Sequence, residues 1–544
     1  MTGDDKGERP SRFRGRGGLR AASAVFAVLS CLGLLWALAS PVNGIPDEHA
    51  HIIKAAGVVN GQGDGIETVR PDGVVERVFI VPVIAGESED LNCHRFVPEL
   101  PAAACRIVED QPVAQEGTVF ARTGAASYNP VYYAIVGWPI VRWQGFGGIY
   151  LARAVNALVL AACFAAAAWC VSLLRRPGAA LLGVLAVATP AVMQYAGAVN
   201  PQGFEVAALT AFTAAFLTAL RARPDGPPLW GLAAVLLVAG TLGVQARALS
   251  WVWLGCIVLV CLVWAGLPRA LSLLRRPPIL GAALAVAAAC ALASRLLLAP
   301  SFAQQQDPFW GAQTPPAEGF LFMLSRFFEF WGGMFALFAW NDTVDHWALH
   351  ISGALLMTLV LSALFFARAL RRQRVAVGLA ALLLFALPAL VQAATVEENG
   401  YIWQGRYALP LYALLVLVAA FTLAPSLAGL SPRVRAKLAA IVAVGTGLAQ
   451  FTGFMRALTR NYIGERGRIV HLFRTPETFG QVPLIGNDLT VVAIAVLAIA
   501  FGLLVWFSLR PDRTRHLRHR LLARVPDLPG LDSSPAHRST REDA

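Results

Sequence analysis

Two carboxylates and two histidines lie within the six residues PDEHAH, at 46–51. They directly follow LSCLGLLWALASPVNGI, an apolar stretch in which a membrane span would end. If the segment is helical, Asp47 and His51 stand four residues apart on one face. Acids at a membrane surface can act as a general base or, with a histidine, bind a divalent cation such as Mg²⁺ or Mn²⁺. The other interpretation is structural, because Pro46, Asp47 and Glu48 also suit the first turn of a helix.

The rest of the chain must hold this cluster at a membrane. Of its 544 residues, 57% are hydrophobic and only 14% are charged, whereas about a quarter are charged in soluble proteins. Runs of about 20 apolar residues recur along most of the chain, which predicts an all-α polytopic membrane protein. The net charge of +12 comes from arginines clustered between these runs. Since cytoplasmic loops have that pattern, no nucleic-acid partner is expected.

The arginine clusters predict about twelve membrane-spanning helices in the plasma membrane, with both termini in the cytoplasm. The expected spans are 21–39, 149–174, 179–197, 203–220, 229–246, 249–266, 279–299, 349–367, 375–394, 408–424, 436–454 and 489–508. The chain then divides into a basic tail 1–20, a membrane domain 21–508 and a basic, partly disordered tail 509–544. As full spans, the segments 129–146 and 320–338 would move arginine clusters outside, so each is expected at the outer surface, interfacial or re-entrant.

Most of the candidate chemistry falls on the outer side. The predicted outer segments are 41–148, which includes a surface helix, 300–347 and the basic loop 456–488. In the first of them, VERVFIVPVIA at 75–85 indicates strands and therefore a folded loop. Cys93 and Cys105 also lie there, whereas the other six cysteines fall in predicted spans, so these two are expected to form a disulfide. A metal pair that includes His94 is the alternative, although zinc needs more ligands at conventional spacing.

Basic residues on the outer side are candidates for a phosphate site. Arg406, in WQGRY at the mouth of the tenth span, is the first of them because its planar fork suits a phosphate. The alternative is an interfacial anchor formed with Tyr407 and its aromatic neighbours. The basic segment 456–474 could bind a phosphate or an anionic glycan, or only contact lipid headgroups. The other candidates are Arg466 and Arg468 in this segment, and Arg153 and Arg247 at predicted outer ends of spans.

Several motifs together resemble those of the C-type (GT-C) integral-membrane glycosyltransferases. A carboxylate follows the first span, then come NPVYY at 129–133 and LARAVNAL at 151–158, which opens the second span. With NPQGFE at 200–205, FAWNDT at 338–343 and QGRYALPL at 404–411, the set resembles more closely a bacterial subgroup labelled as a domain of unknown function. The resemblance covers about 30–510, and the order of the motifs carries it rather than any one of them.

This resemblance implies a polyprenyl-phosphate-linked sugar as donor and a cell-envelope glycan or glycolipid as acceptor, with transfer on the extracytoplasmic side. Asp47 would be the general base that deprotonates the acceptor hydroxyl, and Glu48 would be its partner. The adjacent histidines depart from the family pattern, so a metal site of His51 with Asp47 and Glu48 stays open. The candidate substrate contacts are Tyr132, Asn200, Glu205, Asn341 and Asp342. Glu205 could instead cap its helix, and Asp342 could be a turn residue.

Two other classes of function remain at this point. A flippase or transporter of a lipid-linked saccharide is one, although ion-coupled carriers need ionisable groups deep in the bilayer and commonly show inverted repeats, neither of which is seen here. A non-catalytic scaffold in an envelope-polysaccharide complex is the other. No phosphate-binding glycine loop of the Walker type occurs, so nucleotide hydrolysis is not expected. Arabinose, mannose and rhamnose are all open as the donor sugar.

Overall fold

The computed structural model consists of helices and a few short strands. It describes residues 12–71, 75–86, 91–105, 117–143, 145–221, 229–297, 309–474 and 483–509. Helices predominate because an apolar segment in lipid must satisfy its backbone hydrogen bonds within itself. The expectation of an all-α membrane domain is therefore confirmed. The tails 1–11 and 510–544 lie outside the described residues.

The acidic cluster lies between the first two helices. Helix α1, Arg12–Ala39, is followed by turns over 40–47, and helix α2, Glu48–Val59, begins inside PDEHAH. A helix does start in this segment, as the structural interpretation held, but Asp47 makes no capping hydrogen bond to it. Most of α2 is buried, so it belongs to the interior of the outer region and does not lie on its surface.

A small antiparallel sheet covers α2. Strands β1 (Ile66–Val69), β2 (Val75–Pro82) and β3 (Thr118–Arg122) are hydrogen-bonded in that order. Phe79 and Val81 point from β2 into an apolar cluster shared with α2. A short helix α3, Val83–Gly86, and a 3₁₀ turn, Ala102–Ala104, complete this region. The strands predicted in the first loop are therefore present.

The segment before the next membrane helix forms two short helices. These are α4, Pro130–Val136, and α5, Trp138–Arg142. The Asn129 side chain accepts a hydrogen bond from the backbone of Val131, and Pro130 occupies the first turn, which fixes the start of α4. Neither helix is long enough to cross a bilayer, as predicted for this segment.

The remaining helices form the body of the protein. The next eight in chain order are α6 Phe146–Ser172, α7 Gly178–Val187, α8 Pro190–Ala196, α9 Pro201–Arg221, α10 Leu229–Val244, α11 Ser250–Ala265, α12 Leu267–Leu274 and α13 Pro277–Leu297. They are followed by α14 Pro316–Ser325, α15 Phe327–Gly332, β4 Leu337–Phe338, β5 Thr343–Val344, α16 His346–Leu361 with a π turn to Phe366, α17 Arg371–Ala393 and α18 Val396–Asn399. A 3₁₀ turn Gly405–Ala408, α19 Leu409–Gly429, α20 Pro432–Ile463, α21 His471–Arg474 and α22 Asn487–Leu509 end the described chain.

The number of membrane-length helices is lower than the predicted twelve. In the described chain, nine helices are long and apolar enough to cross a membrane, or eleven if the bent pairs α7–α8 and α11–α12 each count as one span. The pairs bend by 62° and 113°. The first bend precedes Pro190, which disfavours helical backbone at the residue before it. The second occurs at Gly266, whose φ of 85° interrupts the helix. Helix α10 has only 16 residues.

Helices α9 and α19 form the centre of the bundle. Nearly every residue of both is buried, and both are apolar on all sides, as expected for helices surrounded by others. Helix α1 packs along α6, and α20 packs along α22. The ends of α9 and α19 that are nearest to α2 carry Glu205 and Arg406 respectively, so the core of the bundle holds two of the predicted site residues beside PDEHAH.

The first loop contains the predicted disulfide. Cys93 and Cys105 are bonded, with a Cα–Cα distance of 5.5 Å. The alternative of a metal pair does not hold, because both sulfurs are used in the disulfide and neither is a free thiolate. The loop also meets the basic segment after α20, since the backbone of Glu465 donates to the carbonyl of Pro98 at 2.7 Å. The segments 41–127 and 456–488 therefore meet on one side of the protein.

We expect that side to be extracytoplasmic. Cysteines introduced by Glu67→Cys and Arg466→Cys, at side chains 61% and 85% exposed, should both react with a membrane-impermeant thiol reagent in intact cells. The control is Arg433→Cys, on the opposite, arginine-rich side, which should react only after permeabilisation. Labelling of Arg433→Cys but not of the other two in intact cells would contradict the predicted orientation.

Candidate active site

Asp47 lies at the bend between the loop 40–47 and α2. Its backbone is left-handed, with φ of 65°, and its carboxylate makes no capping hydrogen bond to α2. The side chain instead forms an ion pair with Arg406 and remains 41% exposed. The carboxylate is thus directed away from its own helix and is accessible to a ligand.

Arg406 reaches Asp47 because the chain before α19 approaches another backbone closely. A Cβ atom at Gly405 would lie 2.0 Å from the carbonyl oxygen of Phe330, so only glycine fits there. Beyond it, the guanidinium of Arg406 is only 2% exposed and lies 5.6 Å and 5.3 Å from the ring centres of Tyr195 and Tyr407. Its Nε is buried without a hydrogen-bond partner among the described residues.

The ion pair determines the protonation of Asp47. Burial alone would raise the pKa of its carboxyl group, but the guanidinium of Arg406, together with the imidazoles of His51 and His49, lowers the pKa from 3.8 to about 2. Asp47 is therefore ionised at any physiological pH. While Arg406 is bound, it is also a weak base, because a carboxylate with so low a pKa has little affinity for a proton.

Glu48 points the opposite way and is fully buried with Arg153. Arg153 Nε donates to Glu48 Oε1 at 2.7 Å, and Nη2 donates to Oε2 at 2.5 Å. The backbone amides of Val199 and Asn43 donate to the same two oxygens, both at 3.0 Å. The other three N–H groups of Arg153 donate to the carbonyls of Ala37, Ser40 and Pro41.

This pair corrects two expectations from the sequence. All five N–H donors of Arg153 are used within the protein, so it has none for a donor phosphate. Glu48 is shielded from substrate and cannot exchange protons with an acceptor. Both side chains instead fix the loop 40–47 against α6, and this loop holds Asp47 outward.

His51 does not form a metal site with the two acids. Its Nδ1 lies 2.9 Å from the hydroxyl of Tyr133, and burial lowers the pKa of the imidazole to about 3, so the ring is neutral. Glu48 faces Arg153 on the far side of the helix start. In the described part of the chain, no group of three His, Cys, Asp or Glu side chains is placed to hold a metal ion. The expected ligand set is therefore wrong for these residues.

Arg247 contributes a second guanidinium beside Arg406. It follows α10, and its guanidinium lies 4.5 Å from the ring centre of Tyr407, which the guanidinium of Arg406 also approaches, at 5.3 Å. Arg247 Nη1 donates to Gln202, and Gln202 Nε2 in turn donates to Glu205 at 3.2 Å. Ser250 donates to the other oxygen of Glu205 at 2.6 Å. Glu205 is buried and oriented toward Arg247, so it positions that arginine and has no exposed oxygen for a sugar.

Two other predicted substrate contacts support the same loop. Asn200 Nδ2 donates to the carbonyl of Pro46 at 3.0 Å, and its Oδ1 accepts from the backbone of Gln202 at the start of α9. Tyr132 is buried, and its hydroxyl donates to Asn156 at 3.1 Å. Asn200 joins the loop 40–47 to the start of α9, and Tyr132 joins α4 to α6. The structure therefore gives them packing roles that their motifs could not distinguish from substrate contacts.

The loop after α15 carries the last candidates. Asn341 donates to the side chain of Gln404 at 3.0 Å, two residues before Arg406. Asp342 accepts from Arg460 Nη2 at 2.8 Å. Arg460 also donates to three carbonyls of the disulfide loop, those of His94, Val97 and Leu100. Asp342 is consequently a structural partner of Arg460, which no sequence motif had indicated.

Arg466 and Arg468 lie on the surface. Arg466 is 85% exposed and pairs with Glu99 at 3.4 Å, and Arg468 is also exposed. Neither has a contact with Asp47 or Arg406. The predicted phosphate-binding set is therefore reduced to Arg406 with Tyr407, joined by Arg247.

A small apolar cavity lies close to the chain segment that carries Arg406. Its lining consists of Met323, Phe327, Phe330, Trp331, Met334, Leu384, Phe385, Pro388, Ala389, Trp403 and Ala408. Trp403 and Ala408, which line it, flank Arg406 in the chain, so the apolar space lies against the turn that carries the guanidinium. A partly exposed carboxylate, two arginines and an apolar cavity together suit an anionic headgroup attached to an apolar chain.

Comparisons with known proteins agree with a membrane protein. The family described as a predicted membrane protein, DUF2142, matches residues 30–415, which is more than half of the chain. A search of curated proteins gave no match. Among solved structures, the chain is similar to ArnT from Cupriavidus metallidurans in the apo state, with a TM-score of 0.43 and 13% identity. That alignment covers 90% of this chain and 77% of the ArnT chain.

Proposed function

The chain belongs to the DUF2142 family of membrane proteins, and we propose that it is a membrane glycosyltransferase of the GT-C type. It moves a sugar from a polyprenyl-phosphate-linked donor to a cell-envelope glycan or glycolipid on the extracytoplasmic side. The observation that carries this proposal is the pairing of Asp47 with Arg406 beside an apolar cavity. The pair supplies a base and a phosphate-binding cation at one point.

The chemistry needs only a few groups. A sugar linked to a lipid phosphate already has a good leaving group, so the enzyme must deprotonate the acceptor hydroxyl and stabilise the departing phosphate. Asp47, whose carboxylate is partly exposed, takes the proton. Arg406 and Arg247 hold the phosphate, because a guanidinium donates to phosphate oxygens through two parallel hydrogen bonds.

Donor binding changes the ionic partner of Arg406 and thereby controls how strong a base Asp47 is. Without donor, Arg406 keeps the pKa of Asp47 at about 2. A phosphate that binds Arg406 withdraws the guanidinium from Asp47 and places a negative charge nearby. Both changes raise the pKa of Asp47 and strengthen it as a base. Asp47 is thereby activated only when the donor is in place.

The apolar cavity suits the part of the prenyl chain nearest the phosphate. Its lining is aromatic and aliphatic, and it includes Met323 and Met334, whose flexible side chains can move to admit an apolar chain. An isoprenoid chain gains free energy from such contacts without needing hydrogen bonds. Trp403 lies at the end of the cavity next to Arg406, where the chain would meet the phosphate.

The test is sugar transfer by the purified protein in detergent. Radiolabelled polyprenyl-phosphate-linked arabinose, mannose and rhamnose are supplied one at a time, with an envelope fraction as acceptor, in the presence and absence of a chelator. We expect label from one donor to enter the acceptor fraction. Transport of the donor across vesicle membranes without any labelled product would favour a flippase. Loss of transfer when only a chelator is added would show that the reaction needs a metal ion.

Arg406→Ala is expected to weaken donor binding by about 10- to 100-fold, because a charged hydrogen-bond donor to phosphate contributes about 1.5–3 kcal/mol. Arg406→Lys should recover part of this affinity, since a point charge replaces a two-pronged contact. Binding is measured by titration with the labelled donor in detergent. The control is Arg466→Ala at the exposed surface, which should bind donor as the wild type does. Equal affinities for Arg406→Ala and the wild type would exclude Arg406 from the phosphate site.

A further inference from the structure

The disulfide loop holds an aromatic ring in solvent near Asp47. Phe96 lies in the loop closed by Cys93 and Cys105, and its side chain is 59% exposed. Its ring packs edge-on against Trp340, with 5.7 Å between the ring centres. The guanidinium of Arg95 lies 5.0 Å from the Phe96 ring and 4.9 Å from the Trp340 ring. These three side chains pack together and are called here the aromatic wall.

The aromatic wall continues directly to the acidic cluster. Trp340 is buried, and its indole N–H donates to the carbonyl of Asn43 at 2.9 Å. The ring of His49 lies 6.0 Å from Trp340 on the side of Asp47. Trp340 therefore connects the exposed Phe96 to the loop that directs Asp47. The wall is thereby anchored to the loop 40–47 that carries Asp47.

Strained backbone is concentrated around the aromatic wall. Six described residues other than glycine have left-handed backbone, and they are Asn43, Asp47, Phe96, Gln313, Ala339 and Asn341. Ala339 and Asn341 flank Trp340, and the carbonyl of Asn43 receives its indole hydrogen bond. Five of the six thus lie at the wall or beside it. Such strain costs free energy and persists where the surrounding structure enforces a functional geometry.

The wall is held rigidly. Arg460 donates to the carbonyls of His94, Val97 and Leu100, on both sides of Phe96, and it also pairs with Asp342. Phe96 itself contributes little to the core, because most of its ring is exposed. A phenylalanine ring with left-handed backbone, more than half of it in water, is therefore explained only in part by its contact with Trp340.

We propose that Phe96 and Arg95 form the acceptor subsite of the enzyme. A sugar ring of the acceptor stacks its apolar face on Phe96, and the N–H groups of Arg95 donate to its hydroxyl oxygens. This places an acceptor hydroxyl toward Asp47. The ligand is a saccharide. That it serves as the acceptor rests on the proposed function, but its binding can be measured without any transfer reaction. A preformed wall lowers the entropy cost of binding such a flexible ligand.

The test is direct binding to saccharides, independent of transfer. Fluorescently labelled wild-type protein in detergent is applied to a printed array of bacterial envelope glycans. We expect binding to a subset of glycans, and Phe96→Ala should weaken it at least about tenfold. Phe96→Tyr, which keeps the ring, should bind as the wild type does. The matched control is Phe120→Ala, at another exposed phenylalanine of the same outer region, 72% exposed.

Stability separates a binding role from a structural one. Phe96→Gly removes the left-handed strain, so it should not lower the Tm even though its glycan binding is lost. A fall in Tm for this variant, equal binding by Phe96→Ala and the wild type, or no glycan binding by the wild type would each overturn the subsite. If glycan binding depends on Phe96 but no donor supports transfer by the wild type, the glycosyltransferase proposal fails while the saccharide subsite stands.

Discussion

Asp47→Asn is expected to lower sugar transfer at least about 100-fold, the contribution of a positioned general base. Asparagine has the shape of aspartate, and its carbonyl oxygen can still accept a hydrogen bond from Arg406. It cannot take a proton from the acceptor hydroxyl. Single-turnover transfer from labelled donor measures the effect, and donor titration shows that binding is retained. The variant should therefore separate chemistry from binding.

A matched control is available in the same outer region. Glu67→Gln removes a carboxylate that is 61% exposed and lies 3.6 Å from Arg77. An exposed pair of this kind contributes about 0–1 kcal/mol to stability, so transfer and Tm should both stay near the wild type. Transfer by Asp47→Asn at the rate of Glu67→Gln would show that Asp47 is not the base.

Glu48→Gln is expected to destabilise the fold by about 3–5 kcal/mol, because it leaves Arg153 as an uncompensated charge in the protein interior. Both side chains are fully buried, and their hydrogen bonds join α1, α2 and α6. Thermal unfolding in detergent, followed by intrinsic fluorescence, measures the loss. The double variant Glu48→Gln with Arg153→Met removes both charges and should recover part of the stability.

The exposed pair of Arg326 and Glu329 provides the comparison. Its side chains are 44% and 60% exposed, so Arg326→Ala should change the Tm little. If Glu48→Gln unfolds like the wild type yet loses transfer, then Glu48 is a catalytic partner of Asp47, as the sequence resemblance implied. A large loss of stability instead assigns it to holding the loop in which Asp47 lies.

The sequence alone determined the features that depend on local composition. Apolar runs of membrane length predict helices wherever they occur, because backbone groups in lipid must bond within their own segment. The count of cysteines outside these runs was enough to predict the bond between Cys93 and Cys105. The strand pattern at 75–85 likewise predicted a folded first loop. The helix start at PDEHAH followed from the preferences of its first residues.

The count of membrane spans also shows a limit of prediction from local sequence. Residues 179–197 have the hydropathy of a single span, yet the chain bends by 62° before Pro190 and forms two helices there. The predicted span 249–266 coincides with α11, and the bend of 113° at Gly266 lies at its end. Hydropathy averages over a window and does not register one residue that interrupts the backbone. The sequence therefore predicted a continuous span where the structure has a bent pair of helices.

Tertiary structure alone decided which polar residues are exposed to a ligand and which are buried as supports. Asp47 and Glu48 are adjacent acids, but one is open and paired with Arg406, whereas the other is enclosed with Arg153. The aromatic wall is likewise formed by residues distant in sequence, Phe96 and Trp340. No local pattern separates these cases, because burial and the choice of ionic partner depend on which helices come together. Whether a charge can do chemistry or must be neutralised follows from that packing.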